Sequence, residues 1–160
     1  MELNELMSGF AAEVGLGTLQ ADDSGTYWLK IDKFSIGFSS DETGRMLVVY
    51  TPVGARDDAN AGDLAEFLLE LNNLYIGSFG GTVALDREAG LYFYQRREAL
   101  ADLGKDSFLS LVEDFVNRAE ALQDLIGGFA QTHEAAAEVA EKQSSEERAL
   151  GGLSSEFMQV

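Results

Sequence analysis

The chain is predicted to fold as an α+β domain, ordered helix, three strands, helix, two strands, helix, with the helices packed on a twisted antiparallel sheet. Three observations lead there. Apolar residues recur at three-and-four spacing over three separate stretches, they alternate at a spacing of two in the runs between, and glycine-rich turns divide the runs. Strands come in groups rather than alternating one by one with helices, which argues against a parallel α/β sheet.

Leu3, Leu6, Met7, Phe10, Ala11 and Val14 mark the first helix, which Gly15 and Gly17 should stop. Tyr27, Leu29 and Ile31, then Phe34, Ile36 and Phe38, alternate on either side of Asp32-Lys33. A two-residue turn there would set Ile31 opposite Phe34 and bring all six side chains to one face. The run Met46 to Tyr50 is apolar on both faces, so one face must meet another layer or a partner. Pro52, the only proline, should close that strand.

Leu64, Phe67, Leu68, Leu71, Leu74 and Tyr75 give a second helix capped by Asn60, and Leu69 and Ile76 widen its apolar face. Thr82 to Leu85 and Leu91 to Gln95 form a second hairpin. Phe108, Leu111, Val112, Phe115, Ala119, Leu122 and Ile126 form the third helix, expected to end at Gly127-Gly128. A domain of residues 1–128 would thus be complete before an acidic Ala/Glu-rich tail, 129–160, expected to be marginally helical or disordered. Its large apolar residues are sparse until Leu150, Leu153, Phe157 and Met158.

The 160 residues suffice for one buried core. With 28 acidic residues against 11 basic and a formal charge of -17, the surface should repel nucleic-acid phosphates and anionic membranes. At 46% hydrophobic content this acidity does not mean disorder. The absence of cysteine removes thiol chemistry and fits a reducing compartment. The acidic N-terminus lacks a signal-peptide pattern, and no apolar run is long enough to span a bilayer, so a cytoplasmic location is expected.

Chemistry finds little footing, and neither catalytic residues, metal ligands nor a cofactor are assigned. His133 is the only histidine and stands in the tail, against a serine triad or a histidine zinc site. The turns Asp22 to Gly25 and Asp41 to Gly44 lack the alternating oxygens of a calcium loop. Gly15-Leu16-Gly17 follows a helix where a dinucleotide fingerprint follows a strand, and Gly104-Lys105-Asp106 lacks the hydroxyl that holds magnesium in a phosphate loop. Carboxylate pairs such as Asp57-Asp58 read as solvated surface.

With these elements placed, residues from about 5 to 127 resemble the class I type III secretion chaperones, the Tir-chaperone-like family that serves single translocated effectors. The resemblance rests on Leu68-Leu69-Glu70-Leu71-Asn72-Asn73-Leu74, on Gly80 to Asp86, on Leu91 to Arg97 and on Phe108 to Glu120, in that order. It implies a homodimer through the second helix and following strand, here Leu68, Leu71, Leu74, Tyr75, Val83 and Leu85. It also implies grooves on the first helix and first sheet for a secreted effector protein, here Leu6, Phe10, Val14, Phe34, Ile36, Phe38 and Val48. Of these, Leu6, Phe10, Phe38 and Val48 are expected to face the partner, because they lie toward element ends or on the doubly apolar strand. The effector's N-terminal segment would be held extended and secretion-competent without ATP, with the ATPase of the secretion apparatus as a further candidate partner. A regulatory interaction module of the same fold and a carboxylate-based enzyme are the competing readings.

Overall fold

A computed structural model describes residues 2–156; the tail positions 157–160, with Phe157 and Met158, lie outside the described residues. The elements are α1 (Leu3–Glu13), β1 (Tyr27–Ile31), β2 (Phe34–Ser40), β3 (Met46–Ala55), α2 (Ala61–Leu71), β4 (Thr82–Asp86), β5 (Leu91–Ala99) and α3 (Lys105–Glu156). Short 3-10 turns occupy Asn73–Tyr75 and Leu100–Asp102. The α+β order predicted above is the order observed. The chain divides into two units between Ile126 and Gly127.

In the first unit the strands form one antiparallel sheet in the order β1-β2-β3-β5-β4, so β1 and β4 are its edges. The β1–β2 hairpin has the predicted register, with Ile31 opposite Phe34 and Tyr27 opposite Phe38 around Asp32-Lys33. Asp32 takes a positive φ of 52°, which a short polar side chain tolerates in a tight turn. Helix α1 begins with a capping box in which Glu2 and Glu5 satisfy each other's backbone N–H groups, so two of the end's unpaired donors find acceptors. Its buried stripe is Leu3, Leu6, Met7, Phe10 and Ala11.

One face of the sheet is the core. Phe10 and Phe38 both meet the Phe108 ring edge-on, at 5.2 and 5.7 Å, and Tyr94 stacks on Phe115 at 4.9 Å. These contacts fasten α1 and α3 to the sheet through aromatic pairs worth about 1 kcal/mol each beyond area burial. Strand β3 alternates buried Leu47, Val49, Thr51 and Val53 with half-buried Met46, Val48, Tyr50 and Pro52. The opposite face therefore carries apolar groups too. There Tyr50 lies across Gly37, where an added Cβ would stand 2.6 Å from the ring, and makes edge contacts with Trp28 and Phe93.

Three expectations are corrected. Pro52 does not close β3, which continues to Ala55; pairing with β2 has ended at Tyr50, and the β5 register shifts between Pro52 and Gly54, so the missing N–H is accommodated at a bulge. Helix α2 ends at Leu71 instead of Tyr75, because Leu74 and Tyr75 have left-handed φ of 53° and 57°. Helix α3 does not stop at Gly127-Gly128. Glycine lowers helix stability by only about 1 kcal/mol per residue and, with no proline beyond, nothing forbids continuation.

Candidate functional site

The two edges of the sheet are finished differently, and this defines the site. Edge strands expose a row of backbone N–H and C=O groups that a further strand can pair with. On β4, Asn72 accepts from the Val83 N–H at 2.8 Å and donates to the Val83 carbonyl at 2.9 Å. One position earlier in the alternation, the Gly81 N–H donates to the Ser78 carbonyl and the Gly81 carbonyl accepts from the Ser78 hydroxyl at 2.7 Å. The outward groups of Gly81 and Val83 are thus closed by the segment that follows α2. Ladder alternation leaves only Leu85 facing outward on this strand.

On β1 the same device works at one end only. The Asp22 N–H donates to the Thr26 carbonyl, and the Thr26 N–H donates back to Asp22 Oδ1 at 3.0 Å. The Asp22 carboxylate also accepts from the Ser24 N–H and hydroxyl, and from the Trp28 indole at 2.8 Å. Hydrogen bonds from Ser24, Thr26 and Trp28 hold its pKa at about 2, below the ordinary 3.8. With Thr26 outward and occupied, the alternation of an antiparallel ladder turns the N–H and C=O groups of Trp28 and Lys30 outward as well, and their side chains are exposed on the outer face. The open edge of β1 is the stretch Trp28 to Lys30.

Beside it runs a groove of about 360 Å³ between the end of β1 and α3, lined by Ile31, Asp32, Val112, Glu113, Val116 and Asn117. Ile31 and Val116 are half-buried and Val112 is buried, so its floor is apolar, while Asp32, Glu113 and Asn117 on its rim are exposed.

The expected effector-facing residues divide sharply. Leu6, Phe10, Phe34, Ile36 and Phe38 are buried in the chain's own core, which corrects the expectation that Leu6, Phe10 and Phe38 face a partner. The cause is α3: Phe108 fills the space above Phe10 and Phe38. Val14 is exposed just after α1, and Val48 is half-buried on the outer face. Among the expected dimer residues, Leu68 and Val83 are buried within the single chain and Leu71 is half-buried, whereas Leu74, Tyr75 and Leu85 are exposed. Leu69 and Ile76, noted in the sequence only for widening the helix, are 70% and 76% exposed. Next to Leu85 a depression of about 610 Å³ is lined by Tyr50, Ala84, Asp86, Arg87, Phe93 and Gln95.

The sequence does not mark Trp28, Lys30, Asp22 or Asn72 as residues of this candidate site. A lone tryptophan on the polar side of a strand's alternation was the available signal for Trp28; nothing local distinguishes Asn72 from a helix C-cap. Among the described residues no cluster of three or more His, Cys, Asp or Glu could hold a metal ion, and no helix is long and apolar enough to cross a membrane. The clustered charges on the core side, Arg96, Asp114 and Arg118, engage one another at 2.7 to 2.8 Å. The Arg118 hydrogen bond keeps Asp114 below the usual carboxylate range.

Three helices with one five-stranded antiparallel sheet match the type III secretion chaperone fold. Residues 5–123 match the Tir chaperone protein (CesT) family, and the chain belongs to that family. Among solved structures, the ExsC-ExsE complex contains a chain 22% identical, with a TM-score of 0.63, covering 79% of this chain and 97% of that one. A chain of the HopA1-SchA chaperone-effector complex is 20% identical, TM-score 0.59, over 75% and 91%. The structure of the Yersinia pestis type III secretion chaperone SycH with a fragment of YscM2 gives 19% identity and TM-score 0.57, over 74% and 98%. At these identities the likeness shows the shared fold. No curated protein matches the chain in sequence.

Proposed function

We propose that this chain is a chaperone that holds the N-terminal segment of a type III secreted effector in extended form, and that the segment pairs with the open edge of β1. The observation that carries this is the asymmetry of the edges: Asn72 and Ser78 seal β4, and Asp22 seals β1 at Thr26, leaving Trp28 to Lys30 available. An added strand gains backbone hydrogen bonds whatever its sequence and takes its preference from side-chain pockets beside the edge. No nucleotide is needed, because contact energy alone must exceed the ordering cost of the segment.

The chaperone acts as a homodimer in this reading, joined through Leu69, Leu74, Tyr75, Ile76 and Leu85, the large apolar residues exposed on either side of the Asn72 to Val83 bridge. A second copy is the occupant in this reading, because contact between the same apolar patch on two copies would cover it on both and close a two-fold pair.

Lys30→Pro tests the edge. Proline removes one outward N–H and is tolerated on an edge strand, so the fold should persist. Effector capture should fall, as should the change in fluorescence of Trp28, the only tryptophan, on addition of an effector segment. Undiminished capture by a folded Lys30→Pro chain would overturn the proposal.

A further inference from the structure

We infer that the groove beside the open edge selects an extended segment in which an inward apolar side chain has lysine or arginine two residues away, on the same face. This rests on the strand pairing proposed above and names the chemistry of what pairs there.

In a sheet, residues directly opposite one another share a face. A strand laid against β1 therefore sends the side chains opposite Trp28 and Lys30 outward and those opposite Leu29 and Ile31 to the core side. The core side just beyond Ile31 is the groove floored by Ile31, Val112 and Val116, and its volume of about 360 Å³ admits an aliphatic side chain. Continuity between an unpaired backbone edge and an apolar trough is what an alternating extended segment needs.

The rim fixes the second half of the inference. Asp32 closes the hairpin at one end of the groove and Glu113 stands on α3 at its side, and both are exposed. The nearby lysines do not neutralise them: Lys33 pairs with Glu120 at 2.9 Å and lies over the Phe34 ring, and Lys30 is exposed on the outer face of β1, across the sheet from the groove. Arg118, the nearest arginine along α3, is engaged with Asp114. A segment entering the groove thus passes two carboxylates whose charge favours a cation and penalises an acid, on a chain whose net charge is -17.

The test uses the full chain and a display library of random peptides about a dozen residues long, the span of an extended recognition segment. Selection should enrich peptides with an aliphatic residue two positions from lysine or arginine, the spacing that sets both on one face of an extended strand. Their affinity should fall about fivefold in Asp32→Asn with Glu113→Gln, as a pair of screened ionic contacts gives, and the loss should shrink at high salt. Val116→Ala at this half-buried position should keep a cooperative melt while emptying part of the groove, and should weaken the same peptides. Enrichment of acidic or uncharged peptides, or equal binding to the doubly neutralised chain, would overturn the inference. Amide exchange separates it from the reading on which it rests. Selected peptides that protect the Trp28 and Lys30 amides without cation preference leave strand pairing intact and sink this inference. Cation-dependent peptides that leave those amides unprotected keep the groove and sink the strand pairing. A library from which nothing is enriched removes both.

Discussion

Asn72 and Val83 exchange two hydrogen bonds, 2.8 and 2.9 Å, so that one side-chain amide stands where the backbone of a sixth strand would run. Asn72 is also the C-cap residue of α2, and the segment just beyond it displays Leu74 and Tyr75 at positive φ. Asn72→Ala should cost about 1–3 kcal/mol, since both Val83 groups lose their partners. Urea melts measure the cost, and amide exchange at Val83 should accelerate beyond the global change. An unchanged Val83 exchange rate would show that the bridge does not protect the edge.

Asp22 gives a pH signature of known sign. Its folded pKa of about 2 lies below the ordinary 3.8, so its contribution is fully present above 3.8 and is lost as pH falls toward 2. Melting temperatures of the native chain and Asp22→Asn should differ at pH 6 and converge toward pH 2. A gap that persists at pH 2 would mean the carboxylate charge is not the source.

Phe10 and Val48 separate core from surface. Phe10→Ala should destabilise by about 3–5 kcal/mol because it empties the site against Phe108. Val48→Asp, on the half-buried outer face, should cost about 1 kcal/mol. Chemical denaturation measures both, and equal costs would contradict the burial.

Leu74→Asp combined with Ile76→Asp should turn a dimer into a folded monomer, because both side chains are more than three-quarters exposed in the single chain. Sedimentation at micromolar concentration would show the mass falling to 17.3 kDa with the melting transition retained. A dimer that survives both charges is built elsewhere.

A chain truncated after Ile126 should still melt in one cooperative step, since the sheet, α1 and the buried part of α3 from Phe108 to Ile126 lie in the first unit. A broad, non-cooperative melt would mean that the remainder supports the fold.

The fold was legible because periodicity is local. Tyr27 to Phe38 announced a hairpin and its register, and Phe108 to Ile126 announced a buried helical stripe. The site was not, for two physical reasons. An apolar strand or helix does not state which neighbour covers it, and the cover of Phe10 and Phe38 is Phe108, far along the chain on α3. The finish of a sheet edge depends on side chains reaching backbone across a fold, as Asn72 reaches Val83 eleven positions on. Asp22-Asp23-Ser24-Gly25 did announce a turn, yet its reach to Thr26 and Trp28 follows only from where β1 runs.

The sealed β4 edge also bears on stoichiometry. A sheet with two receptive borders can stack copy upon copy, β1 of one against β4 of the next, and a head-to-tail contact that does not close grows without limit into a fibre. With Gly81 and Val83 already occupied, a neighbour's β1 meets a border that offers only Leu85. Growth by this route terminates at its first step, so the free border of β1 does not make the chain a template for its own polymerisation.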